Sequence, residues 1–121
     1  MNARAANIYR RVDLESAPKH DVLGRLFDRF QLDVANATKA IAAKDIIGKA
    51  TAIDHALRIV SELQAALDRS VAPELCENLF SLYEFVATQL CLANLTLEPK
   101  KLAEASRLMN EIATAFRTVA R

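Results

Sequence analysis

The sequence predicts an all-α protein, an antiparallel up-down-up-down four-helix bundle, and three observations carry that prediction. Apolar residues recur at alternating spacings of three and four, with no convincing strand-type alternation. Ala, Leu, Glu, Lys and Arg, the stronger helix formers, are abundant. Only 2 Gly and 3 Pro interrupt the 121 residues, so few turns are available. Long helices joined by short breaks favour antiparallel neighbours, and up-down-up-down is the simplest such topology.

Each element follows from its own pattern. Residues 1–17 read as a polar, Ala-rich lead-in or cap with one aromatic, Tyr9, and residues 18–121 as the bundle. The first helix starts near Ser16-Ala17-Pro18, because Ser is a good N-cap and Pro is tolerated in a first turn. Its apolar face is Val22, Leu23, Leu26, Phe27, Phe30, Val34, Ala37 and Ile41. Gly24 inside it costs about 1 kcal/mol against Ala. Lys44-Asp45 marks a tight connection, with Asp45 the N-cap of a second helix carrying Ile46, Ala50, Ile53, Leu57, Val60, Leu63 and Leu67. Arg69 to Pro73 breaks the pattern, and a third helix runs from about Pro73 to Asn94. A further break, Thr96 to Pro99, precedes a fourth helix with Leu102, Ala105, Leu108, Met109, Ile112, Ala115, Phe116 and Val119 inward.

Composition bounds the function. Hydrophobic residues make up 52% and charged residues 26%, the balance of a globular chain. The 16 basic and 15 acidic residues are scattered and leave a net charge of +1, which does not suit a row of phosphates, so no nucleic-acid partner is expected. The N-terminus lacks the apolar core of a secretory signal, and no run approaches a membrane span, so a cytoplasmic location is expected. Cys76 and Cys91 fall on one helix, about 22 Å apart along its axis, too far for a disulfide within the chain. Both read as small buried hydrophobes.

No constellation of catalytic groups emerges. His20 and His55 have no second His or Cys at helical spacing, so no metal is expected. Gly24 and Gly48 are isolated and make no phosphate loop, and no serine sits in a nucleophile elbow. No cofactor and no enzymatic activity are expected. One alternative is a histidine-phosphotransfer bundle, since His55-Ala56-Leu57-Arg58 looks like the start of the phosphorylated motif of such domains. The Gly that follows the cation there, making room for a phosphodonor, is replaced here by Ile59.

The third helix has more apolar surface than a bundle corner needs. Leu75, Leu79, Leu82, Tyr83, Val86, Leu90 and Ala93 already make a full inward stripe. Cys76, Phe80, Ala87 and Cys91 widen it, and Phe85 and Leu92 lie almost opposite. Only Glu77, Ser81, Glu84 and Thr88 form a polar strip. Such a helix is covered by something further, either the N-terminal segment or a partner. If its own bundle sealed every face, the binding reading would fail.

These residues resemble the flagellin-specific export chaperone family, FliS, over nearly the whole chain. The resemblance rests on Tyr9 ahead of Ala17-Pro18, Leu26-Phe27-Asp28, Ala40-Ile41, Ile59 with Glu62-Leu63, and Leu67-Asp68. Its most specific stretch is Asn78-Leu79-x-x-Leu82-Tyr83-x-Phe85, followed by Leu90-x-x-Ala93-Asn94. The resemblance implies an antiparallel bundle that binds the disordered C-terminal segment of flagellin in the cytoplasm and prevents premature polymerisation. Other flagellar proteins are further candidate partners. The partner segment would fold into helices on apolar grooves near Tyr9, Leu26, Phe27, Leu79, Leu82, Tyr83, Leu90 and Asn94, with Tyr9 a plug displaced on binding. Two departures stand out: Arg29 occupies a position where many members have Gly, and the chain has no Trp near its end.

Overall fold

The computed structural model describes residues 17–119, with side chains from 21 to 118. Four helices account for nearly all of them: α1 (Ala17–Ala42), α2 (Ile46–Ala65), α3 (Pro73–Thr96) and α4 (Pro99–Val119), with no strand among the described residues. The fold is all-α, as the apolar periodicity requires. Pro73 and Pro99 open α3 and α4, where a missing N–H leaves no hydrogen bond unmade.

The turns show how the chain stops each helix. After α1, the amide of Asp45 donates to the carbonyl of Ala40, and that of Lys44 to Ile41. This is the paired C-terminal closure that places one residue in the left-handed region, here Lys44 at φ 56°. The carboxylate of Asp45 then accepts from the amide of Gly48 at 2.9 Å and caps α2, as its place in the sequence predicts. α3 ends with a single bond from the Leu97 amide to the carbonyl of Ala93, and Leu97 takes φ 60°. Glycine usually holds both of these positions, so Lys44 and Leu97 each cost some strain.

Each helix packs on two neighbours. α1 touches α2 and α4, α3 touches α2 and α4, and the diagonal pairs do not meet. Cross-links give the sense of each pair. Asp28 pairs with Arg117, and Gln31 exchanges hydrogen bonds with Ser106, so numbers rise along α1 as they fall along α4. Lys49 meets Asn94 while Gln64 meets Phe80 and Glu84, which gives the same opposed sense for α2 and α3. The core runs the length of the bundle through Phe27, Phe30, Ile53, Leu63, Leu79, Tyr83, Leu90, Leu102, Met109 and Phe116. Phe27 and Phe116 stack at a tilt, with ring centroids 5.4 Å apart.

Some inward expectations fail. Val22, Ile46 and Ala50 belong to the periodic stripes but are exposed. In the opening turns of α2 the residue turned inward is Lys49, which lies between Ile46 and Ala50. Cys91, expected to be buried, is exposed, because it lies past the edge of the α3 stripe where no neighbouring helix follows. Cys76 is buried as expected, and its thiol donates to the carbonyl of Asp68 at 3.3 Å. No helix of the described residues is long and apolar enough to cross a membrane.

Candidate functional site

α3 supplies the site, since its sequence is the most apolar of the four. Its inward row, Leu79, Tyr83, Val86, Leu90 and Ala93, is completely buried. The row steps by three and four, which keeps it facing the bundle axis. Leu75, Leu82 and Ala87 flank it and are half-buried against the core. The outer strip of Glu77, Ser81, Glu84 and Thr88 is exposed, as the sequence predicts. Phe85 interrupts that polar face and remains 44% exposed, and Leu95 one helix end further on is 80% exposed. The bundle therefore leaves apolar surface of α3 open.

The groove residues expected from the resemblance fall in different places. Phe27, Leu79, Tyr83 and Leu90 lie in the core itself. Leu26 and Leu82 are half-buried at its margin, where another chain can reach them. Asn94 is half-buried: its carbonyl accepts from the Lys49 ammonium at 2.9 Å, and its side-chain Oδ1 is buried without a hydrogen-bond partner among the described residues. Tyr9 lies outside the described residues.

Lys49 is the polar surprise. It is 7% exposed, on the first turn of α2, and its ammonium reaches the carbonyl end of α3. A cation there satisfies an orphan carbonyl and opposes the negative end of the helix dipole. A second buried polar group sits between α1 and α2. The carboxylate of Asp33 accepts from Arg29 Nε at 3.1 Å and bonds His55 Nδ1 at 2.5 Å. His55 is thus tied by one ring nitrogen to a buried carboxylate rather than standing free in solvent. Position 33 sits beside Leu26 on the helical wheel, so the i,i+4 pairing of Arg29 with an acid next to the apolar stripe was the available signal.

Surface missed by sequence reasoning lies at the end of the bundle that holds the α1–α2 and α3–α4 turns. Ile46, Ile47 and Leu97 are exposed there. Ile46 and Leu97 join Ala40, Ile41 and Lys49 around a pocket of about 260 Å³. Leu97 lies in a break where helical periodicity gives no phase. Among the described residues no cluster of three or more His, Cys, Asp or Glu is placed to hold a metal ion. The arrangement offers apolar contact area and scattered ion pairs, the chemistry of binding.

The sequence model of the family described as flagellar protein FliS matches residues 1–121. The flagellar secretion chaperone FliS of Salmonella typhimurium is 28% identical over 122 aligned positions, covering 97% of this chain and 90% of that protein. The flagellar secretion chaperone FliS of Escherichia coli is 27% identical, covering 95% of this chain and 88% of its own. The flagellar secretion chaperone FliSB of Pseudomonas aeruginosa is 29% identical, covering 93% of each. With its whole length matched and its helices in the order the motifs require, the chain belongs to the FliS family of flagellar proteins.

Proposed function

We propose that this protein is a cytoplasmic flagellar secretion chaperone that binds the disordered C-terminal segment of flagellin and keeps it from polymerising before export. The supporting observation is the unsealed apolar surface of α3, with Phe85 and Leu95 open and Leu82 half open. A disordered chain that folds onto such a surface buries apolar area and satisfies its own backbone as helix. Ordering it costs about 2–5 kcal/mol of the gross contact energy, so affinity comes from wrapping a large area. Leu26 on α1 and Leu82 on α3 are separate contact points for a segment that wraps the bundle, and Phe27, Leu79, Tyr83 and Leu90 act from beneath by fixing α1 and α3. Tyr9 covers the groove in the free protein, and Asn94 marks its far end. The action is stoichiometric and needs no catalytic group or cofactor. The relatives named as secretion chaperones support this reading.

Calorimetric titration with a flagellin C-terminal peptide tests it. Heat at one-to-one stoichiometry and a gain of helix by circular dichroism are expected. Fully burying a large apolar side chain is worth about 1.5–3 kcal/mol, so covering the open part of Phe85 is worth about 1 kcal/mol. Phe85→Ser is therefore expected to weaken binding about fivefold while leaving the fold intact. Absence of both heat and helix gain would end the proposal.

A further inference from the structure

The end of the bundle formed by the α1–α2 and α3–α4 turns breaks the rules of local stability repeatedly, and every breach adds apolar or cationic surface. Leu97 and Lys44 occupy left-handed positions that glycine fills at lower cost. Lys100 and Lys101 sit in the first turn of α4, the positive end of its dipole, where carboxylates are favoured. Ile47 stands 81% exposed in the first turn of α2, and Leu95 is nearly as open. Departures of this kind concentrate where a protein works rather than where it merely folds.

The charge at this end is also positive in balance, five lysines standing against Glu98 in the α3–α4 turn and Asp45 at the pocket rim. Every lysine with a described side chain lies here: Lys39, Lys44, Lys49, Lys100 and Lys101. None pairs with a carboxylate among the described residues, and Asp45 is occupied capping α2. Elsewhere the cations are arginines, and Arg29, Arg58, Arg69, Arg107 and Arg117 each meet an acidic partner, while Arg25 has none among the described residues. Between the lysines lies the apolar pocket walled by Ile41, Ile46 and Leu97. Its concavity distinguishes a side-chain anchor from a flat bilayer, which would leave a space of about 260 Å³ unfilled.

We propose that this pole is a docking surface for an acidic amphipathic helix of another protein, one aliphatic side chain seated between Ile41, Ile46 and Leu97 and flanking carboxylates against Lys44, Lys100 and Lys101. The surface adjoins the end of the α3 face on which flagellin is proposed to fold, at Asn94 and Leu95, but its pocket and Lys44, Lys100 and Lys101 lie outside that face, so a chaperone loaded with cargo still presents them. Lysines give such a surface fast, salt-sensitive capture, and the pocket gives it register.

The test uses the full chain and two synthetic helical peptides that share a leucine face, one with glutamates and one with lysines on the other face. Fluorescence anisotropy should show binding of the glutamate peptide only. That binding should weaken at least tenfold as salt rises from about 0.01 M to about 1 M, over which the screening length falls from about 30 Å to about 3 Å. The Lys100→Glu/Lys101→Glu double variant should also lose at least tenfold, with an unchanged or higher melting temperature, because it relieves the clash with the α4 dipole. Leu97→Gly, which suits the left-handed cap, should keep the fold and lose affinity. Equal binding of both peptides, or none of the glutamate peptide, overturns the proposal. Co-sedimentation with three-to-one phosphatidylcholine–phosphatidylserine vesicles without peptide binding overturns it in favour of a lipid surface. Titration of the flagellin peptide against the same variants reports separately on the α3 face.

Discussion

Replacing His55 with Ala tests whether the buried acid between α1 and α2 depends on its imidazole partner. The Asp33 side chain is 2% exposed, and each carboxylate oxygen has one partner, Arg29 on Oδ1 and His55 on Oδ2. Removing both partners of such a group would cost about 3–5 kcal/mol, the penalty of an uncompensated buried charge. His55→Ala removes only one, and half-exposed Arg29 stays in place. A hydrogen bond to a charged group contributes about 1.5–3 kcal/mol, so a loss of about 2 kcal/mol is expected, or about thirtyfold in the folding equilibrium. Urea unfolding followed by circular dichroism measures it, as a lower midpoint at unchanged slope. Pairing His55→Ala with Asp33→Asn should cost much less than the sum of the two single changes, since both remove the same contact. A loss below about 0.5 kcal/mol for His55→Ala, the size of an ordinary surface change, would refute the reasoning.

The glycines and thiols carry the remaining predictions. Nothing lies within 4 Å of a Cβ built on Gly24, so Gly24→Ala should stabilise α1 by about 0.5–1 kcal/mol in the same urea assay. By contrast a Cβ on Gly48 would collide with the capping carboxylate of Asp45, so Gly48→Ala should cost about 1 kcal/mol and show no added loss when combined with Asp45→Ala. With a thiol reagent at neutral pH, exposed Cys91 should react fast and buried Cys76 slowly. Burial pushes the Cys76 thiol above its ordinary range, against a smaller opposing pull from Arg69. Its raised value means that the folded state holds the proton longer than the unfolded chain does. The stability it contributes is therefore present below the ordinary thiol range and fades as pH rises through the folded value, where Cys76 labelling should accelerate.

The helices were legible because burial wrote them into the spacing. Asp45, Pro73 and Pro99 marked helix starts, and Leu102, Ala105, Met109, Ile112 and Phe116 named the inner face of α4 before any coordinate. Periodicity gives the side of a helix but not its position along the bundle. Ile46 and Ala50 share the phase of buried Ile53, yet at that end of α2 the residue turned inward is Lys49, its ammonium drawn to the carbonyl of Asn94. The same limit applied to the binding surface. Tyr83 and Leu79 carry the most specific motif and are wholly enclosed, because a motif that preserves a fold is as strict as one that preserves a contact. Lys49 was illegible, and Asp33 showed only its i,i+4 spacing from Arg29, for a different reason: a buried polar residue is explained by its partner, and Asn94 and His55 are distant in sequence.

The pairing of Asp28 with Arg117 and the stacking of Phe27 on Phe116 place the opening of α1 beside the close of α4. With α1 about 39 Å long, that meeting point is the opposite pole from the lysine-rich turns. The described helices therefore begin at Ala17 and end at Val119 near one extremity of the bundle, remote from the lysine-rich turns of the other. A sample immobilised through a described residue at that extremity displays the turn pole outward, in the orientation that a capture experiment on it requires.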